Sequence, residues 1–190
     1  EKQEWAVRRE AGRLRLLAVG TVVRRKGYDL LFAALGDLRD IDWDLDIVGG
    51  LDADPVCHAE LREQLSVLGL TDRVTFKGAV ASDDLSGFYR EADIFVLASR
   101  YEGYGMAYTE ALAHGLPVIG SGGGAVADTL PEGAAIYCGT EDTNRLRNAP
   151  KLLMTDERKR LDMAASARVA AQDLPDWKDA AAMFAAALNG

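Results

Sequence analysis

The sequence predicts an α/β fold built on a doubly wound parallel sheet, and two observations carry that expectation. Short apolar runs recur roughly every 20 to 30 residues along the chain. Most are followed by a turn and a stretch of helical periodicity. Strands and helices alternating in this way imply right-handed crossovers between parallel strands. Ligands of such sheets belong at the carboxyl ends of the strands. With 190 residues and 48% apolar content the chain can bury one full core, and residues 1–190 read as a single domain.

Each element has its own signal. Arg13 to Val19 is the first apolar run, behind a short polar lead, and Gly20 to Gly27 forms the loop after it. Tyr28 to Leu38 is helical, with Leu30, Leu31, Ala34 and Leu35 on one face. Trp43 to Val48 is a strand ending in Gly49 and Gly50, which read either as a simple turn or as room for a ligand. Pro55 opens a helix that runs to about Leu68 and stops at Gly69. Arg73 to Phe76 is a short strand, and Ser82, Asp83 and Asp84 start a helix as cap and first-turn acids. Strands at Ile94 to Leu97, Val118 to Ile119 and Ala134 to Tyr137 follow, with a flexible loop at Gly122 to Gly124 and a short helix near Val126 to Leu130. From Asp142 the pattern is helical only, broken near Leu174-Pro175 and resumed from Asp176 to Leu188, so extra helices close the chain.

The chemistry concentrates between Ala98 and Gly120. Gly103 and Gly105 let the backbone approach a ligand closely. A helix beginning near Gly105 offers the amides of Gly105, Met106 and Ala107 at its positive end, an anion site suited to phosphate. Glu102 and Glu110 flank this end with seven residues between them. At 1.5 Å per residue, Glu110 lies roughly 7 to 8 Å along the axis from the helix start. That spacing suits a nucleoside diphosphate with its phosphates on the amides and vicinal ribose hydroxyls on Glu110. Glu102 then faces whatever hangs off the distal phosphate, and a sugar hydroxyl suits a carboxylate better than a further phosphate does.

Glu102, Gly103, Tyr104, Gly105 and Glu110, with Gly115 and Pro117 beyond them, resemble the Glu, seven residues, Glu signature of the retaining glycosyltransferases of family four. The resemblance runs from Val19 to about Leu188 and implies the Rossmann-like, C-terminal donor-binding half of the GT-B fold. It assigns the first Glu to the sugar and the second to the ribose. It also implies a separate N-terminal acceptor-binding domain, and a first residue other than Met fits a piece of a longer chain.

A second stretch supports this assignment. Gly20, Thr21, Val22, Val23, Arg24, Arg25, Lys26 and Gly27 place three adjacent cations at the carboxyl edge of the first strand. Lys26 with Gly27 matches the Lys-Gly of the family's phosphate loop, so the resemblance gives Lys26 the leaving phosphate. The family's Arg after the first Gly is replaced by Thr21, which leaves Arg24 or Arg25 to substitute or the loop one cation short. A basic surface loop is the plain alternative. Phe76, Lys77 and Gly78 resemble the strand end whose backbone meets the nucleobase, and read equally as a buried strand and turn.

Other features narrow the class. Net charge is -8 with no basic cluster long enough to make a nucleic-acid footprint, so nucleic acid is not an expected partner. Residues 1 to 10 lack an apolar signal region and no apolar run spans a bilayer, so this part has no expected membrane contact. Cys57 and Cys138 stand alone and read as reduced thiols of a cytoplasmic protein. The acidic pairs Asp42/Asp44, Asp44/Asp46 and Asp52/Asp54 do not make a convincing metal loop, so neither metal nor cofactor is expected. Dinucleotide and P-loop fingerprints are absent after the first strand. His114 reads as a helix-end residue, His58 as solvated, and Trp43, Phe88, Tyr89 and Trp177 as packing.

The function implied is transfer of a sugar from a UDP- or GDP-sugar to an acceptor, with retention at the anomeric carbon. A sugar-nucleotide epimerase or phosphorylase of the same fold, or a nucleotide-binding module without turnover, are the alternatives.

Overall fold

The computed structural model describes residues 12–140 and 142–173. Its strands are β1 (Leu14–Val19), β2 (Trp43–Val48), β3 (Val74–Gly78), β4 (Ile94–Leu97), β5 (Tyr101–Glu102), β6 (Val118–Gly120), β7 (Gly123–Gly124) and β8 (Ala135–Tyr137). Its helices are α1 (Tyr28–Gly36), α2 (Pro55–Leu68), α3 (Ser82–Glu91), α4 (Met106–Ala113), α5 (Val126–Thr129), α6 (Thr143–Thr155) and α7 (Glu157–Ala170). Six strands form one parallel sheet in the order β3-β2-β1-β4-β6-β8. The chain therefore moves outward from β1 to β3, returns, and continues outward from β4 on the other side. β1 and β4 mark the switch point where ligands of open α/β sheets bind.

The residues explain the core. Ile94, Phe95, Val96 and Leu97 are all fully buried, as an unbroken apolar run requires when helices cover both sheet faces. α1 packs on α2, and α3 meets α4 through the stacked rings of Tyr89 and His114. Trp43 is fully buried, its indole N–H donating to Leu38 O at 2.8 Å with the Arg73 guanidinium over the ring. Asp54 caps α2 by accepting from Cys57 N, Pro55 sits in the first turn and Gly69 closes the helix in the left-handed region.

Several local expectations are corrected. The third strand runs to Gly78, because Ile47 and Val48 of β2 pair with Phe76 and Gly78 across an irregular register. Ser82 is the first residue of α3 rather than its cap; the extended residue before it is Ala81, and no side chain caps the helix. Gly123 and Gly124 are no free loop but pair with Tyr101 and Glu102 as a two-stranded parallel ribbon. His58 packs edge-on against Phe76 with ring centroids 4.9 Å apart, so it is half-buried rather than solvated. The polar lead, the break at Leu174-Pro175, Trp177 and the last helix lie outside the described residues.

Candidate functional site

The site is built on the carboxyl ends of β1 and β4. After β1 the chain makes a 3₁₀ turn, Arg24–Lys26, and after β4 it runs through Ser99 and Arg100 into β5. These segments are stitched together: Arg100 N donates to Arg25 O at 2.8 Å, and the Arg100 guanidinium donates to Arg24 O and to both carboxylate oxygens of Asp29. The guanidinium holds the Asp29 carboxyl below its ordinary range. The turn is thus anchored to the loop it faces.

Lys26 is buried, and its stem crosses the face of Gly20, where an added Cβ would stand 2.8 Å from Lys26 Cε. Gly20 O accepts from Tyr28 Oη at 2.7 Å, which fixes the strand end beneath the stem. The ammonium so placed donates to Glu102 Oε1 at 2.6 Å. Ser99, buried beside it, donates to the same oxygen at 2.6 Å, and Arg25 Nη1 lies 3.2 Å from Glu102 Oε2. Arg25 also donates to Tyr101 O at 2.6 Å. Burial by itself would raise the Glu102 carboxyl; the bonds from Lys26 and Ser99 and the charges of Lys26 and Arg25 outweigh it and hold it low. Glu102 is therefore a charged carboxylate inside a cationic collar.

Gly105 precedes α4 in the left-handed conformation at φ 67°, and the intrahelical bonds begin at Tyr108 N. The amides of Gly105, Met106 and Ala107 belong to the turn ahead of those bonds, as the sequence led one to expect. Tyr104 and Met106 are exposed at this rim. One turn on, exposed Glu110 accepts from Tyr89 Oη at 2.8 Å. Burial, with Glu110 next to it, pushes the Tyr89 phenol far up, so Tyr89 is a neutral donor. His114 ends α4, its Nδ1 2.9 Å from Glu110 O and its ring 4.7 Å from that of Tyr89, in keeping with a structural role.

Not every expected residue converges. Arg24 turns away and pairs with Glu60 of α2 at 2.6 Å, beside a cleft of about 480 Å³ on the α1 and α2 side. Of the two candidates for the missing Arg, Arg25 alone meets Glu102. Thr21 is exposed at the sheet edge, and Gly103 is exposed between Glu102 and the helix. Phe76 packs between Phe32 and His58, and Lys77 pairs with Asp46 and lies over Phe88. Those two side chains are engaged in the fold, while the Gly78 carbonyl accepts from Gly49 N. Gly49 itself serves backbone packing, since a Cβ there would meet Gly20 O at 2.2 Å.

Sequence reading missed Ser99 and the role of the glycine run. Cβ atoms at Gly122 and Gly124 would stand 2.2 Å from Ser99 O and 2.1 Å from Glu102 O. Only glycine lets this segment lie flat on the strip that carries Glu102, and Gly123 N and Ala125 N donate to Arg100 O and Glu102 O. The signal was present in three consecutive glycines one residue beyond a strand. Among the described residues no group of three His, Cys, Asp or Glu gathers as a metal set, and no helix is long and apolar enough to cross a membrane.

Comparison with known proteins bears on the family and the fold. A family model described as "Glycosyl transferases group 1" matches residues 1–170. A mannosylfructose-phosphate synthase of Agrobacterium fabrum is 41% identical over 110 residues, covering 55% of this chain and 24% of that protein. A GDP-mannose-dependent phosphatidylinositol monomannoside mannosyltransferase of Mycolicibacterium smegmatis is 31% identical over 186 residues, covering 92% of this chain and 47% of its own length. The solved sucrose-phosphate synthase of Thermosynechococcus elongatus superposes with a TM-score of 0.84 at 30% identity, over 99% of this chain and 49% of that one. The chain thus spans half or less of the length of these relatives.

Proposed function

The chain belongs to the group 1 glycosyl transferases, and on that premise we propose that it is the donor-binding half of a GT-B enzyme that transfers a sugar from a UDP- or GDP-sugar with retention. The observation that carries the reading is the convergence of Lys26, Arg25, Glu102 and the start of α4 at the switch point between β1 and β4. Cations and amides gathered there suit a diphosphate, and the next turn presents Glu110 to a ribose. The names of the relatives, which include a mannosyltransferase dependent on GDP-mannose, favour sugar transfer over an epimerase, a phosphorylase or a silent binding module.

In the proposed reaction the bond from the anomeric carbon to the diphosphate breaks and a bond from that carbon to the acceptor oxygen forms on the same face. The acceptor proton passes to the leaving phosphate. Lys26, Arg25 and the amides of Gly105 to Ala107 stabilise the charge that grows on the diphosphate, a supply of positive potential that requires neither metal nor cofactor. Glu102 orients the sugar. The acceptor is held by an N-terminal domain, and two buried free thiols, Cys57 and Cys138, suit a cytoplasmic setting.

Calorimetric titration with UDP, GDP and ADP tests the reading, with Glu110→Ala as control. Saturable binding of one nucleotide, weakened by the substitution, is the expected result. Turnover by the full-length protein, lost on Glu102→Ala and on Lys26→Ala, separates an enzyme from a sensor. Efficient transfer by these 190 residues alone would overturn the two-domain account.

A further inference from the structure

Glu102 is held more fully than a sugar-binding carboxylate needs to be. A carboxylate has about four acceptor directions, and three are taken: Ser99 and Lys26 on Oε1 and Arg25 on Oε2. Its side chain is only 10% exposed, so a hydroxyl cannot simply be added beside these donors. Two of the three donors are the very cations that the donor-site reading assigns to the diphosphate. One carboxylate and one diphosphate thus address the same pair of charges.

We propose that Glu102 and the diphosphate of the donor compete for Lys26 and Arg25, so that the carboxylate is released to a sugar hydroxyl only once a diphosphate has taken those cations. This deepens the donor-site reading and rests on it. The parts differ in freedom in the way such an exchange needs. Arg25 is 48% exposed, and with its Nη1 also donating to Tyr101 O at 2.6 Å it can give up Glu102 while staying anchored. The Lys26 stem is pinned against Gly20, but its ammonium carries three donors and can turn between acceptors. Ser99 is 1% exposed and keeps hold of Oε1, which preserves the carboxylate's orientation while its charge partners change. A diphosphate offers more charge and more acceptor oxygens than a carboxylate, so it wins the cations.

The exchange has a consequence for selection. A bare nucleoside diphosphate breaks the Glu102 pair and leaves the carboxylate without a new partner, whereas a nucleotide sugar supplies one through a hydroxyl on the freed carboxylate. The site therefore prefers the intact donor to the spent diphosphate, and Glu102 helps to expel the latter after transfer.

Glu102→Gln tests this. It keeps an acceptor for Ser99 and gives up the charge that holds the cations. Dissociation constants are measured by calorimetry for UDP, GDP, UDP-glucose and GDP-mannose on this chain. The expected result is that the preferred nucleoside diphosphate binds about tenfold tighter to the variant while its nucleotide sugar does not, so their ratio shifts by about tenfold. Equal tightening of both ligands would mean simple relief of charge repulsion and would overturn the exchange. So would unchanged or weaker binding of the diphosphate. Ser99→Ala is the second variant, since it leaves every charge in place. It should weaken the nucleotide sugar about fivefold more than the diphosphate, and equal weakening of the two would count against the proposal. Failure of the unsubstituted chain to bind any of the four ligands would remove the donor-site reading and the exchange together. Binding without the shift in ratio would remove the exchange alone.

Discussion

Tyr89 Oη of α3 donates to Glu110 Oε2 of α4 at 2.8 Å, and this bond aims the carboxylate proposed for the ribose. The Tyr89 ring is fully buried between Phe95 and His114, so the donor cannot wander. Tyr89→Phe keeps that packing and removes only the hydroxyl. Nucleotide affinity should fall about threefold to tenfold, with a stability loss of about 1 kcal/mol. Calorimetry and urea denaturation measure the two effects separately, and a stability loss with unchanged affinity would detach Glu110 from the ribose.

Gly124→Ala should be among the most damaging exchanges of a single methyl in the site. The residue has φ 77°, and the new Cβ would stand 2.1 Å from Glu102 O. Left-handed strain alone costs about 1 to 3 kcal/mol, and the clash with backbone adds to it. A fall of that size or more in the denaturant-derived stability, together with lost nucleotide binding, is expected.

Gly20→Ala should lower both binding and stability. Its Cβ meets the Lys26 side chain rather than backbone, with Lys26 Cε at 2.8 Å. The Lys26 side chain can move aside, but an L residue at φ 158° is strained whatever the space, so the fold should lose about 1 to 3 kcal/mol as well. Lys26 is displaced from Glu102, and nucleotide affinity should fall at least about tenfold. A titration and a melting curve on the same sample decide it.

The acid limb of stability should carry the signature of Glu102 and Asp29. Both carboxyls are held below their ordinary range in the folded chain, Asp29 by Arg100 and Glu102 by donors that outweigh its burial. The unfolded chain therefore binds more protons in that range, and stability rises with pH there. The contribution is fully present above the unfolded carboxylate range near about pH 4 and is lost as pH falls through the lower, folded values. Urea midpoints of the unsubstituted chain and of Glu102→Gln should converge as pH drops below about 4. A constant difference down to pH 2 would contradict the assignment.

Much of this was legible in the chain itself. β2 and α2 appear where their patterns put them, because Trp43 to Val48 is bounded by polar and glycine residues and Asp54, Pro55 and Gly69 punctuate the helix. Glu102, Gly105 and Glu110 could be singled out because backbone conformation, charge and helical rise act over short stretches, and Lys26 because its Lys-Gly resembles the family's phosphate loop.

The sequence by itself thus determined the order of strands and helices and which residues carry charge near a turn. Only the tertiary structure decided which charges meet. Arg24 and Arg25 are neighbours with the same side chain, yet one faces Glu60 and the other Glu102, because a 3₁₀ turn sends adjacent side chains to different sides. Lys26 and Glu102 are 76 positions apart, and Ser99 had no signal of its own. Their contact depends on β1 lying beside β4, and that adjacency arises from packing among whole elements, which no local pattern encodes.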